Sequence, residues 1–344
     1  MRGRRLVCLF LCALLMGGCM NPSSEKQQEG KEGSGKIQIG LAIDSRVLER
    51  WERDTGTFIA EAERMGAEVE TVNANADVEE QIRQVEAFTE EKKDVIVIIA
   101  ADCERLREPL EKAKEKGIKV VCYDRLVMDL DADLYISFDN DKVGSLMAGT
   151  MMESLPDGGK IMMICGPKSD NNAIVIENAF LREIEGSNLE VVQVSYAKSW
   201  TPEYAFQSVE EAFEGIDRID GVMCGNDALA VRAIQALAER RLAGKVCVVG
   251  QDADVEACQK IAEGVQAMTV YKAVEDLAKQ AAEYSVMLAQ NIPLTDVTEP
   301  MENGRYTIRS KELEPVAVTR ENLDEVIIDS GFHSREDVYL NTVP

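Results

Sequence analysis

The chain has 344 residues, enough for two ordinary domains, and sets 62 acidic against 38 basic residues for a formal net charge of -24. A surface of that sign repels nucleic-acid phosphate and anionic lipid heads, so nucleic acid is excluded as a partner. With one histidine, His333, and nine cysteines that form no CxxC pair, the chain holds little material for a histidine-based catalytic or metal centre.

Residues 1–18, "MRGRRLVCLFLCALLMGG", join an arginine-rich start to a short apolar run and small residues before Cys19, the layout of a bacterial secretory signal. The apolar run is too short to span a bilayer. Small residues directly before a cysteine resemble the lipobox of bacterial lipoproteins, which implies that Cys19 is the lipidated first residue of the mature chain. Plain cleavage and secretion is the alternative. Residues 19–35 form the lipidated cysteine and a flexible linker, because "NPSSEKQQEGKEGSG" offers no apolar anchor.

From Lys36 onward, apolar β-rich runs alternate with helix-period segments, the pattern of βαβ units around parallel sheets. Strands are expected near 37–43, 67–72, 94–100, 118–123 and 134–138. In "VEEQIRQVEAFTEEKK", Ile82, Val85 and Phe88 fall three apart on one helix face. A second series follows near 160–165, 189–195, 220–224, 245–250 and 266–271, which predicts two similar lobes. Continuous runs such as "VIVIIA" fit parallel strands buried on both faces. A helix over "VEDLAKQAAEYSVMLAQ" comes next, then a C-terminal segment with little periodicity. The six cysteines after Cys19, four of them inside strand-like runs, read as buried free thiols.

Open parallel sheets gather ligands at the carboxyl ends of their strands. Those ends carry Asp44 with Arg50 and Trp51, Asp102, "YDR" at 123–125, "FDN" at 138–140, Asn171 and Asn172, Trp200, "GND" at 225–227, "QDAD" at 251–254, and Tyr271 with Lys272. Carboxylates, amides and guanidinium groups converging from many loops suit a neutral polyhydroxylated ligand, since each engages neighbouring hydroxyls. Trp51 and Trp200 hold corresponding places in the two series, where each serves either packing or a ligand ring. Asn226, Asp227 and Asp252 serve equally as helix caps or turn formers. No GxGxxG follows the first strand and no GxxxxGK[ST] occurs, so nucleotide binding is unsupported and no cofactor is expected.

The pieces "GLAIDSRVLERWERD", "DVIVIIA", "YDR", "YISFDNDKVG", "DNNA", "GNDALA", "GKVCVVGQDAD" and "MTVYK" together resemble the sugar-binding proteins of ABC transporters with the type I periplasmic-binding fold, over about residues 36–290. The resemblance implies an α/β fold of two Rossmann-like lobes joined by a three-crossing hinge and closing on one pyranose. Residues 36–138 plus 272–298 would form the N-terminal lobe, and 139–271 plus 299–344 the C-terminal lobe and tail. Arg50, Trp51 and Arg125 would come from the first lobe and Asn140, Trp200, Asn226 and Asp252 from the second. Asp139 and Lys272 would sit near the crossings.

These readings predict a monomeric lipoprotein on the extracellular face of the cytoplasmic membrane, or in a periplasm, that captures a monosaccharide, D-xylose by expectation, for an ABC permease. It should catalyse nothing. The alternative output is a xylose sensor feeding a membrane histidine kinase. A secreted glycoside-modifying enzyme is the rival of another class, with only chance carboxylate pairs to support it.

Overall fold

The computed structural model describes residues 35–342. The secretory leader, Cys19 and the linker up to residue 34 lie outside the described residues. Among the described residues, no helix is long and apolar enough to cross a membrane.

The first lobe opens with β1 (Gln38–Ile43), α1 (Arg50–Arg64), β2 (Glu68–Asn73), α2 (Val78–Glu90), β3 (Val95–Ile98), α3 (Arg107–Glu115), β4 (Lys119–Tyr123) and β5 (Leu134–Phe138). The chain then enters the second lobe through α4 (Asn140–Ser154), β6 (Gly159–Cys165), α5 (Asn171–Glu183), β7 (Leu189–Tyr196), α6 (Glu203–Gly215), β8 (Gly221–Cys224), α7 (Asp227–Glu239), β9 (Cys247–Gln251), α8 (Val255–Ala262) and β10 (Met268–Tyr271). It returns with α9 (Val274–Ala289), β11 (Glu299–Glu302) and β12 (Thr307–Leu313), and ends in the second lobe with β13 (Val316–Val318) and α10 (Arg335–Val338).

All ten expected strands are present, with ends shifted by at most two residues. β1, β3 and β4 lie side by side, their runs buried almost throughout, as a parallel sheet covered on both faces requires. α2 turns Val85 and Phe88 into the core and keeps Ile82 half-buried against it. The six cysteines are free thiols, five of them buried, and burial pushes Cys122 up to about 12, far from a reactive thiolate.

The tail corrects the lobe boundaries. Residues 299–313, assigned by sequence to the C-terminal lobe, complete the first lobe's sheet, whose order is β11-β12-β5-β4-β3-β1-β2. β12 runs parallel to β5, with Ser310 to Leu313 beside Tyr135 to Phe138. The third crossing therefore falls at 314–315, where Pro315 precedes β13. The other two crossings lie at 139 and at 272–273, and Asp139 N donates to Leu313 O at 3.1 Å where two strands pass side by side. The second sheet has the order β13-β10-β9-β8-β6-β7.

Beyond β13 the chain packs Leu323, Ile327 and Val338 against Cys258 and Ile261 of α8, then returns to the edge of the cleft. His333 makes a 2.8 Å hydrogen bond to Ala253 O through Nε2. Phe332 meets Tyr271 edge-on at 4.9 Å. From the opposite lobe, Arg53 on α1 donates to Phe332 O at 3.0 Å and lies 4.2 Å over the Phe332 ring. The tail is thus a strap from the second lobe that grips the first. On the other rim, Cys103 N donates to Ser169 O at 2.8 Å, so both jaws of the cleft are closed.

Behind the strand ends of the second lobe, a fully buried Asp227 ties three segments together. Its carboxylate accepts from Thr269 Oγ1 on β10 (2.6 Å), Gln266 Nε2 (2.9 Å) and Asp254 N (3.2 Å). Burial, joined by the nearby Asp252 charge, pushes this carboxyl up to about 8.

Two outcomes follow from this packing. Phe332→Ala should lower the unfolding free energy by about 1–2 kcal/mol, since the ring is only half-buried, and should enlarge the radius of gyration in solution scattering by loosening the strap. Urea titrations together with scattering curves check both effects, and an unchanged curve refutes the strap. The Asp227 carboxyl titrates above the ordinary carboxylate value of about 4, so its favourable contribution is complete below that value and drains away as pH climbs toward 8. Asp227→Asn should therefore flatten the fall of stability between those limits, as read from urea midpoints at stepped pH.

Candidate functional site

The buried face of α1 carries Arg50, Trp51, Asp54, Thr55, Phe58 and Ala62, one helical stripe that is apolar at its C-terminal end and charged at its start. That charged start faces the cleft. Arg50 lies 2.7 Å from Asp124, donates to Asp54 through Nε (3.3 Å) and Nη2 (3.1 Å), and comes within 3.7 Å of Asp252 across the cleft. Its guanidinium stacks 4.5 Å over the Trp51 ring, while that of Arg125 approaches the same ring at 5.5 Å. Arg125 is itself held by Asp44 of its own lobe (2.7 Å) and by Asp170 of the other (2.9 Å).

From the second lobe, Trp200 sits on a 3-10 turn after β7, and its Nε1 donates to Asp170 at 3.1 Å. The indole packs tightly on backbone: a Cβ at Gly166 would fall 2.2 Å from the ring, and one at Gly225 would fall 3.1 Å from it. Only glycine admits so close an approach. Asn226 caps α7, its side-chain oxygen accepting from Leu229 N at 3.0 Å. Asn172 reaches over from α5 to donate to Asp124, and Lys272, at a crossing, contacts Asp252 (2.7 Å) and Gln251 (2.9 Å).

These groups line a small, tight cavity between the lobes. Arg50, Trp51, Arg125, Asn140, Trp200, Asn226, Asp252 and Lys272, all expected from sequence, line it together, none more than 6 % exposed. Asp139 does not. Its carboxylate turns away to cap α4, accepting from Lys142 N at 2.8 Å, and its neighbour Asn140 occupies the cavity wall instead. Leu48, Asp124, Asp170, Asn172 and Gln251 complete the lining; Asn172 was named among the strand-end groups, but none of the five was expected as a ligand contact. Apart from Leu48 they sit inside or beside the segments "YDR", "DNNA" and "QDAD", so their location was readable and their orientation was not.

Charge inside the cavity is balanced locally. Burial works against the Arg50 charge, but Asp124, Asp54 and Asp252 overcome it and hold the guanidinium well above its ordinary value. Burial likewise pushes up on Asp124, and Arg50, Lys272 and Arg125 outweigh it, keeping the carboxyl below the usual range. Four wall atoms, Trp51 Nε1, Asn226 Nδ2, Asn172 Oδ1 and Asp252 Oδ1, are buried without a hydrogen-bond partner among the described residues, although Asp252 Oδ1 still ion-pairs with Lys272 at 2.7 Å. Buried polar atoms ordinarily have partners, so unmatched donors and an acceptor around one cavity mark a binding site.

The same chain matches a family model described as periplasmic binding protein domain over residues 39–292. It is 39 % identical to a D-xylose-binding periplasmic protein of Haemophilus influenzae, covering 89 % of this chain and 93 % of the relative, and 38 % identical to the protein of that description from Escherichia coli, over 88 % and 93 %. An ABC transporter solute-binding protein from Clostridium phytofermentans, solved with bound β-D-glucose, superposes with a TM-score of 0.79 at 26 % identity, over 88 % of this chain and 99 % of that one. With this match and the closed, two-lobed architecture, the chain belongs to the periplasmic binding protein family, whose members bind solutes without transforming them.

Proposed function

We propose that this protein captures one sugar ring, D-xylose in its pyranose form, and delivers it to an ABC importer. The observation that carries the reading is the set of unpartnered buried polar atoms on Trp51, Asn226 and Asn172 in a cavity otherwise lined by carboxylates, amides and cations. A pyranose presents a hydroxyl at nearly every carbon, each both donor and acceptor, and such a wall matches it from every side. The two indoles offer apolar faces to its C–H surface. Relatives at 38–39 % identity are named for D-xylose, which selects this sugar among neutral rings.

Capture works through closure. The first lobe contributes Arg50, Trp51, Asp124 and Arg125, and the second contributes Asn140, Asp170, Asn172, Trp200, Asn226 and Asp252. A sugar held by one lobe gains its remaining contacts only when the cleft shuts, so ligand shifts the population toward the closed form that a permease would recognise. We also read Cys19 as the lipid anchor and the following polar segment as the tether that lets the closed lobes reach that permease.

Calorimetry of the chain from Lys36 onward should show D-xylose binding about tenfold or more tighter than D-glucose, D-galactose, D-ribose or L-arabinose. Binding of none of them refutes the sugar reading. Trp51→Phe, which keeps an aromatic packing group but removes the Nε1–H, should weaken xylose about five- to tenfold with little change in melting temperature. For the anchor, cells fed labelled palmitate should label the wild-type chain and not Cys19→Ser, whose product should appear in the soluble fraction.

A further inference from the structure

Arg50 faces the cavity, but half of its guanidinium fork points away from it, into the lobe. There it meets Asp54, one helical turn further along α1, through Nε and Nη2. Asp54 is 1 % exposed and does not line the cavity. Its Oδ1 also accepts from the hydroxyl of Tyr123 at 2.5 Å, and Tyr123, 2 % exposed, ends β4 directly before Asp124. A buried carboxylate is unfavourable unless paired, so nothing about the core of this lobe calls for an acid here.

We infer that Asp54, steadied by Tyr123, is a positioning residue that fixes the Arg50 fork against Trp51 and aims its remaining N–H groups into the cavity. The geometry is specific to that role. A guanidinium on a long flexible stem has many rotamers, and a two-point clamp on one edge removes them before a ligand arrives. Tyr123 then links the clamp to the backbone that bears Asp124, the other carboxylate on Arg50. Burial raises the Asp54 carboxyl against the opposing pull of Arg50, the mark of an acid kept where solvation disfavours it.

The inference rests on the reading of the cavity as a sugar site, and the test separates the two. Xylose affinity is measured by calorimetry, or by NMR titration where weak, for wild type, Asp54→Asn, Arg50→Gln and the double variant, with melting curves for each. Asp54→Asn should weaken xylose about ten- to a hundredfold in the wild-type background, yet less than about threefold when Arg50→Gln is already present. Equal loss in both backgrounds makes Asp54 merely structural and overturns the inference, as does an unchanged affinity. Should Asp54→Asn fail to fold, Tyr123→Phe replaces it: about threefold weaker xylose, again abolished by Arg50→Gln, is expected, and no change overturns the inference. If the wild type binds no sugar at all, it is the reading of the cavity that fails.

Discussion

The site depends on one buried ion network centred on Arg50. A cation held 5 % exposed between Asp54, Asp124 and Asp252 is unfavourable to bury, and only the simultaneous presence of several carboxylates makes it tolerable. Asp54 and Asp124 belong to the same lobe as Arg50, whereas Asp252 approaches from the other at the looser distance of 3.7 Å. The network is therefore complete within one lobe and extended by closure. That division explains why the first lobe can hold its half of the site in order while the cleft opens.

Backbone strain marks the same places. Asp124, Trp200 and Asp252 have positive φ values of 61°, 57° and 100°, in a region that residues with a Cβ seldom occupy. Each belongs to a turn just beyond a strand of a parallel sheet. All three side chains line the cavity, and the rigid sheets behind supply the packing that tolerates the distortion.

Most of the fold was legible because parallel strands buried on both faces leave continuous apolar runs that loops and helices do not. The tail was not. β11 and β12 lie at the edge of the first sheet with most of their residues exposed or half-buried, so "EPME" and "TIRSKEL" carry no apolar run to announce them. Their attachment to β5 is a long-range pairing that no local pattern encodes. The site was legible in position and partly illegible in direction. Asp139 and Asn140 both follow β5, and the sequence offers no ground for choosing which faces the cavity. The helix makes the choice: its first turn has unpaired N–H groups, the carboxylate is the better acceptor, and Asp139 is taken as the cap while Asn140, its amide donating to Ser137 Oγ at 3.4 Å, lines the cleft. At Asn226 one side chain does both, because an amide caps through its oxygen and still has its nitrogen to offer.

The contacts that shut the cleft and the groups that line it are largely the same residues. Arg125 bridges to Asp170, Asn172 to Asp124, and Arg50 to Asp252, each pair joining the lobes directly across the cavity wall. A ligand that engages any of these groups acts on the closure itself, with no intermediary needed to carry the signal from pocket to hinge. The strap formed by Arg53 and Phe332 differs, since it joins the lobes outside the cavity and is indifferent to what fills it. Closure thus has a ligand-independent term and a ligand-dependent one. The apparent affinity follows from their sum, because the fraction of molecules already closed sets how much of the binding energy is spent on shutting the cleft.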